Sequence, residues 1–373
     1  MSNSKGIAIG FMLTLTSYVY LIASLQLSGC RYQYSPSSQR RNSARSFSTI
    51  MTMTMTQNEV GVGFTDIFED SLEEVQPRKL TILGELPKWL SGTVIKNGPA
   101  VFGTQGGSPL SRRYDHIFDG LAKLHRYEVR NGEVVFSSRF LRSDWYRRIV
   151  ENKEDLPPSI TTGPVIPPFN AAQKLTAALT SSIAFDNVPV NVHNLGGKTW
   201  VAITDAPVML GFDPRSLETK GRYSFKNAIT SLGGIELFST AHPHLRKEKR
   251  TRTRSQDKKS ELKQGENKKE EEEELFTYNY YFELRPIALP GLPPTNLAHI
   301  VRINGKGHRE IVGTVPVEGN SIPYVHDFSM TENYIILCLW PVRIDMSKMV
   351  TSDRGFLREL DWCKADETGK QTM

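Results

Sequence analysis

From residue 78 onward the apolar residues come in short runs, each cut by Gly, Pro, Asn or Asp. Thr93-Val94-Ile95-Lys96 stops at Asn97-Gly98-Pro99, and Leu124-His125-Arg126-Tyr127-Glu128-Val129 stops before Asn131-Gly132. Glu133-Val134-Val135-Phe136-Ser137, Trp200-Val201-Ala202-Ile203-Thr204 and Ala298-His299-Ile300-Val301-Arg302-Ile303 read the same way, as do 310–315 and 334–339. Runs this short, rich in β-branched and aromatic residues, predict strands. Asn-Gly between two such runs is a hairpin signal, because both residues enter the positive φ of a tight turn at low cost. Asn131-Gly132 and Asn304-Gly305 both stand in that position. The pattern predicts an all-β protein of mainly antiparallel strands, and a propeller or a sandwich would each satisfy it.

Two segments depart from this pattern. Residues 169–180, Phe-Asn-Ala-Ala-Gln-Lys-Leu-Thr-Ala-Ala-Leu-Thr, follow a Pro-rich loop and predict one short helical cap. Residues 245–274 hold eleven basic side chains from Arg246 to Lys269, followed by an unbroken acidic run from Glu270 to Glu274. With almost nothing apolar to bury, this block reads as a charged, disordered insertion or a frayed helix between two strands.

The first sixty residues stand apart. Residues 1–30 carry an uncharged apolar run behind Lys5 and end on Ser28-Gly29-Cys30, the layout of a signal peptide or of an uncleaved anchor. Residues 31–60 are rich in Ser and Arg and include alternating Met and Thr at 51–56, a transit-like, disordered composition. A signal followed by a transit-like stretch implies delivery to a plastid, with the secretory pathway or a membrane anchor as the alternative. Residues 1–57 hold five basic residues and no acid, so most of the net charge of +6 belongs to the leader. The nearly neutral body gives no reason to expect a nucleic-acid partner. Three cysteines, at 30, 338 and 363, neither make a disulfide scaffold nor have metal-ligand spacing.

Candidate chemistry rests on eight histidines, since phosphate-loop, dinucleotide and nucleophile-elbow motifs are absent. His242, in Thr240-Ala241-His242-Pro243-His244, and His326, in Pro323-Tyr324-Val325-His326-Asp327-Phe328, each stand at the edge of a β-type run, where a side chain can project into a cavity. Neutral imidazole is the commonest protein metal ligand, but spacing alone does not link two residues so far apart. His244 reads as a supporting or structural residue, and His116 and His125 flank a turn at Phe118-Asp119-Gly120. His193 and His308 are expected to be exposed beside turns, and His299 to be structural in a strand.

Several local words, in order, resemble the carotenoid cleavage oxygenases. Gly84-Glu85-Leu86-Pro87-Lys88-Trp89-Leu90-Ser91-Gly92 through Asn97-Gly98-Pro99 looks like the family's opening motif, and Phe118-Asp119-Gly120 with His125 resembles its next one. Asp213-Pro214-Arg215-Ser216-Leu217 matches a further stretch. The Thr240–His244 and Val325–Tyr334 segments resemble the first two iron-ligand motifs. The resemblance implies a seven-bladed β-propeller domain over 62–373, with Fe(2+) held by histidines from different blades, His242 and His326 being the first two. It implies O2-dependent cleavage of a conjugated carbon–carbon double bond in a carotenoid or apocarotenoid, and a peripheral membrane contact is compatible with such a substrate. A family glutamate that supports an iron histidine is replaced by Asp205. Family members carry two further ligand histidines downstream, whereas no histidine follows His326. The expectation is therefore an incomplete propeller, from a truncated sequence or from a decayed, non-catalytic relative that binds an apolar ligand.

Overall fold

The computed structural model describes residues 66–104, 111–156, 161–170, 172–173, 186–231, 234–252, 270–285, 296–317, 321–345, 348 and 354–362. The leader lies outside these residues. The chain divides into two units, Met1–Glu69 and Asp70–Met373. The described part of the first is a 3-10 turn at Asp66–Phe68 with Glu69. All that follows concerns the second unit.

The all-β expectation holds. Six strands come first: β1 (Arg78–Lys79), β2 (Gly92–Pro99), β3 (Arg113–Tyr114), β4 (Ala122–Arg130), β5 (Glu133–Phe140) and β6 (Val165–Ile166). Four of them pair in the order β1-β5-β4-β2, and β3 pairs with β6. A second sheet, β10-β9-β8-β7, is built from β7 (Asn191–Leu195), β8 (Thr199–Ile203), β9 (Met209–Phe212) and β10 (Thr219–Arg222). A third contains β11 (Ile235–Ser239), β12 (His244–Arg252), β13 (Glu270–Leu284), β14 (Asn296–Ile303) and β15 (Arg309–Val317). Next come β16 (Ser321–Pro323), β17 (Ser329–Met330), β18 (Ile335–Ile336), β19 (Val342–Asp345) and β20 (Leu360–Trp362). Here β16, β19 and β20 form one sheet and β17 and β18 a hairpin. The run at 334–339 is strand only at Ile335–Ile336, where it pairs with β17.

Successive sheets pack face to face, and β8 shows why its sequence is apolar throughout. Val201 and Ile203 join Leu195, Met209, Tyr281, Val301 and Ile303 in one core. Ala202 turns the other way and packs with Leu124, Leu141, Val188, Leu210 and Phe212 in the next. With period-2 alternation, a strand buried on both faces needs apolar residues at every position.

The turns divide as their chemistry requires. Asn131 (φ 53°) and Gly132 (φ 78°) make the two-residue β4–β5 hairpin, both in the left-handed region. At 304–308 the connection is longer than the Asn-Gly signal implies. Asn304 Oδ1 accepts from the amides of Lys306 and His308, and Gly307, not Gly305, takes the positive φ of 82°.

The charged block differs from the expected disordered insertion at both its ends. Residues 245–252 belong to β12 and 270–274 to β13, in a register that sets Lys249 opposite Glu273, although Glu248 falls opposite another acid, Glu274. Read separately, the basic and acidic runs look solvated. Antiparallel pairing sets them opposite each other, where opposite charges favour the ladder. Arg302 of β14 completes the arrangement, reaching Glu248 and Glu310 at 2.6 Å each and lying over the Phe276 ring. Residues 253–269 lie outside the described residues.

The expected helical cap begins with a reciprocal capping box. Asn170 N donates to Gln173 Oε1 (3.0 Å) and Gln173 N donates to Asn170 Oδ1 (2.9 Å). Residues 174–185, most of that segment, lie outside the described residues.

Candidate metal centre and cavity

β13 is fifteen residues long and carries two strands in succession along one edge. β11 pairs with its C-terminal half, ending at Ser239↔Tyr281, and β12 with its N-terminal half, starting at His244↔Tyr278. Between them, residues 240–243 leave the ladder. Pro243 has no N–H to donate, so the interruption falls here, and His242 is released from the sheet. His326 comes just after β16, the first strand of its own sheet, in a segment without regular structure.

The two histidines meet. His242 Nε2 and His326 Nε2 are 3.0 Å apart although 84 residues separate them, and their rings cross at 67°. Behind His326, Asp205 Oδ2 lies 3.0 Å from Nδ1. The same oxygen accepts from the Tyr324 hydroxyl at 2.9 Å, and Oδ1 accepts from Ala241 N at 3.2 Å. Asp205 thus supports the second histidine by its side chain and the segment of the first through a backbone amide. The hydrogen bond and charge of Asp205 raise the His326 pKa above its ordinary value, against the opposing effect of partial burial. Burial, with Asp205 beside it, pushes the Tyr324 hydroxyl well above the usual phenol range.

A carboxylate on Nδ1 selects the tautomer with the proton there, leaving the Nε2 lone pair directed outward. Two Nε2 atoms at 3.0 Å are then joined in one of two ways: a hydrogen bond in which His242 carries its proton on Nε2 and donates to His326, or a metal ion held between the two lone pairs. Metal–nitrogen bonds of about 2.1 Å at right angles span about 3.0 Å, so the pair fits adjacent positions on one ion. Among the described residues no group of three or more His, Cys, Asp or Glu side chains comes together as a metal-binding cluster.

His326, Asp205 and Tyr324 line a cavity of about 250 Å³ whose other walls are largely apolar, including Phe118, Leu237, Phe238, Phe356 and Leu357. One wall is hung from the first sheet's loops. Buried Asp119 accepts from Thr162 N (2.7 Å) and Gly163 N (2.8 Å), and the Phe356 amide donates to Thr161 O (2.9 Å). Burial pushes the Asp119 carboxyl up to about 6, opposed by those two amide bonds. The backbones touch at Gly355, φ 80°, where a Cβ would lie 2.4 Å from the Gly163 carbonyl carbon.

The other histidines separate clearly. His244 Nε2 bonds Phe328 O at 2.7 Å, and His299 is buried against Glu283 at 3.0 Å, so both are structural as expected. His308 is exposed. His193 corrects the expectation of exposure: it lies in β7, is 9% exposed, and bonds the Thr277 hydroxyl at 3.0 Å. The turn signal belongs to Gly196-Gly197, three residues further on, and β7 itself is covered by the third sheet. Two residues at the centre went unread in the sequence, Tyr324 and Thr240. Each lies two positions before a candidate ligand, which in extended chain puts both on one face.

The family model described as "Retinal pigment epithelial membrane protein" matches residues 68–369. The chain therefore belongs to that family, the carotenoid cleavage oxygenases. It is 28% identical over 306 residues to the β,β-carotene 15,15'-dioxygenase of Rattus norvegicus, covering 79% of this chain and 48% of the relative. It is likewise 28% identical over 301 residues to the enzyme of that name from Gallus gallus, covering 79% and 51%. Among solved structures it resembles a cobalt-substituted Synechocystis apocarotenoid oxygenase, with TM-score 0.54 and 17% identity over 80% of this chain and 53% of that one. A chimera of that oxygenase with the retinal pigment epithelial protein gives TM-score 0.52 and 15% identity, over 80% and 53%. These likenesses establish the fold as that of the family's β-propeller. The chain spans about half the length of the relatives it matches.

Proposed function

We propose that this protein contributes to an Fe(2+)-dependent oxygenase that cleaves a conjugated double bond of a carotenoid or apocarotenoid. The observation that carries the reading is the convergence of His242 and His326 at 3.0 Å beside an apolar cavity, with Asp205 behind His326. His242 and His326 would hold the ion through Nε2, which leaves further positions to other donors. The bound ion would supply O2 activation, and the net reaction converts one C=C and O2 into two carbonyl ends. The chain's own residues have three tasks. Asp205 keeps the proton of His326 on Nδ1, Tyr324 fixes that carboxylate, and the aromatic walls hold a polyene and exclude water. The relatives' names, β,β-carotene 15,15'-dioxygenase and apocarotenoid oxygenase, support this substrate class.

The test is to supply the full chain with Fe(2+), O2 and β-carotene or an apocarotenal, and to look for aldehyde products. Product that disappears in His242→Ala and in His326→Ala supports the reading, and cleavage that survives both substitutions overturns it. The pairing of only two imidazoles among the described residues favours a second reading, a metal-free binder of an apolar ligand. Polyene binding with no bound metal and no product would select it. Exposed Leu83 and Trp89, 97% and 82% accessible, support a peripheral membrane contact. Loss of vesicle binding in Leu83→Ser with Trp89→Ser checks it. The leader composition supports plastid delivery, and residues 1–57 fused to a fluorescent protein would have to enter plastids for that to stand.

A further inference from the structure

The spacing of the two candidate ligands is set by contacts that neither imidazole makes. Thr240 is fully buried, and its hydroxyl joins the two histidine backbones: Oγ1 accepts from His242 N at 3.1 Å and donates to the carbonyl oxygen of His326. On the other side of His242, the His244 ring donates from Nε2 to Phe328 O at 2.7 Å. It also meets the Phe328 ring edge-on, with centroids 4.7 Å apart at 64°. Phe328 is itself buried, and the Asp327 carboxylate stands 3.5 Å from His244 Nε2. Residues 240 and 244 flank His242 at equal sequence distance, and their partners are the carbonyls of 326 and 328. The two segments are therefore stitched together at two points, one at the His326 carbonyl and one two residues beyond it.

A carbonyl oxygen can only accept, so the bond to Phe328 requires the proton of His244 on Nε2. That nitrogen is engaged, which separates His244 from its neighbour two residues away. Building on the metal-centre reading, we propose that Thr240 and His244 are positioning residues: they fix the His326 segment against the His242 segment and so set the distance between the two Nε2 atoms. His244 is not itself a metal ligand. The physical reason for such a stitch is that both histidines lie where regular pairing has ended. No ladder bonds hold 240–243 to 326–328, and side-chain bonds to carbonyls replace them. Partners of this kind weaken metal binding by about 10–100-fold when removed, without abolishing it.

The experiment uses the full 373-residue chain and Co(2+) as a spectroscopic probe, with four variants. His244→Phe keeps a ring against Phe328 but removes the donor, and His244→Gln restores a donor. Thr240→Val removes the bridging hydroxyl at constant shape, and His242→Ala removes a candidate ligand. Co(2+) affinity is measured by calorimetric titration and visible absorption, and amide hydrogen exchange over 325–331 is followed in the metal-free chain. The expected result is a loss of affinity of about tenfold in His244→Phe and in Thr240→Val, with recovery to near wild type in His244→Gln. The absorption bands of the bound ion should keep their positions, and exchange over 325–331 should be faster in His244→Phe and Thr240→Val before metal is added. Loss of binding in His244→Phe as complete as in His242→Ala, with altered bands and no rescue by Gln, would make His244 a ligand and overturn the proposal. Wild-type affinity together with wild-type exchange would overturn it as well. If the wild-type chain binds no Co(2+), the metal-centre reading fails on its own, and unchanged exchange over 325–331 would then also remove the positioning role.

Discussion

The buried histidine of β7 makes stability depend on pH in a calculable way. Burial lowers the His193 pKa from 6.5 to about 4, and the nearby charge of His244 acts in the same direction. Its ring nitrogen faces the Thr277 hydroxyl, which also accepts from Gly196 N at 3.0 Å, and no acidic group is among these partners. Between pH 6.5 and about 4 the unfolded chain binds a proton here that the folded chain refuses. The contribution of His193 is therefore fully present above 6.5, falls as pH drops through that value, and levels off near the folded pKa. For a shift of this size, going from pH 7.5 to pH 5 costs about 2 kcal/mol at one site. Asp119 works against it: with its carboxyl raised to about 6, the folded chain binds the extra proton and gains stability as pH falls through that value. The raw pH profile mixes the two, so the readout is a difference. Urea unfolding of wild type and His193→Gln, run at half-unit steps from pH 7.5 to 5, should show the wild type losing about 2 kcal/mol relative to the variant. Parallel profiles would mean that His193 titrates alike in the folded and unfolded chain, and the burial argument would fail.

Two further predictions concern the backbone. Gly163→Ala places a Cβ 2.5 Å from the His116 Cβ and 3.2 Å from Asp115 O, both with little room to move. It should cost about 1–3 kcal/mol in urea unfolding, and a change under about 0.5 kcal/mol would show that the contact relaxes freely. Arg252 and Glu270 are register partners, so replacing 253–269 by Asn-Gly should close the β12–β13 hairpin within about 1 kcal/mol of wild-type stability. Removing all of 245–274 should cost distinctly more, because it takes away Glu248, which Arg302 holds at 2.6 Å. Equal stability of the two deletions would show that the paired part of the charged block contributes nothing.

How much was legible depended on the range over which each residue acts. Strand runs such as Glu133–Phe140 and the hairpin at Asn131-Gly132 are written in adjacent residues, and both stand where the alternation puts them. The pairing of basic 245–252 with acidic 270–274 was hidden because charge is read along the chain while the ladder works across it. His193 was misplaced for a related reason. Its neighbours Asn194, Gly196 and Gly197 do make a turn, but what covers β7 is Thr277, contributed from 84 residues away. His242, His326 and Asp205 were found through words that resemble a family. Their meeting at one point follows from which sheets face each other, and no spacing rule contains that.

The placement of His242 nevertheless has a local cause that the sequence does carry. β13 runs unbroken for fifteen residues, so its edge could pair with one equally long neighbour. A continuous neighbour would hold residue 242 in the ladder, its side chain fixed by the pleat. Pro243 prevents this, because the ladder needs an N–H that proline lacks. Pairing stops at Ser239 and resumes at His244. Thr240 and Asp205 then take up what the ladder leaves, the first bonding His242 N at 3.1 Å and the second Ala241 N at 3.2 Å. A residue type that breaks a strand, placed directly after a histidine and flanked by side chains able to satisfy the freed backbone, is how this fold turns a sheet edge into a ligand position.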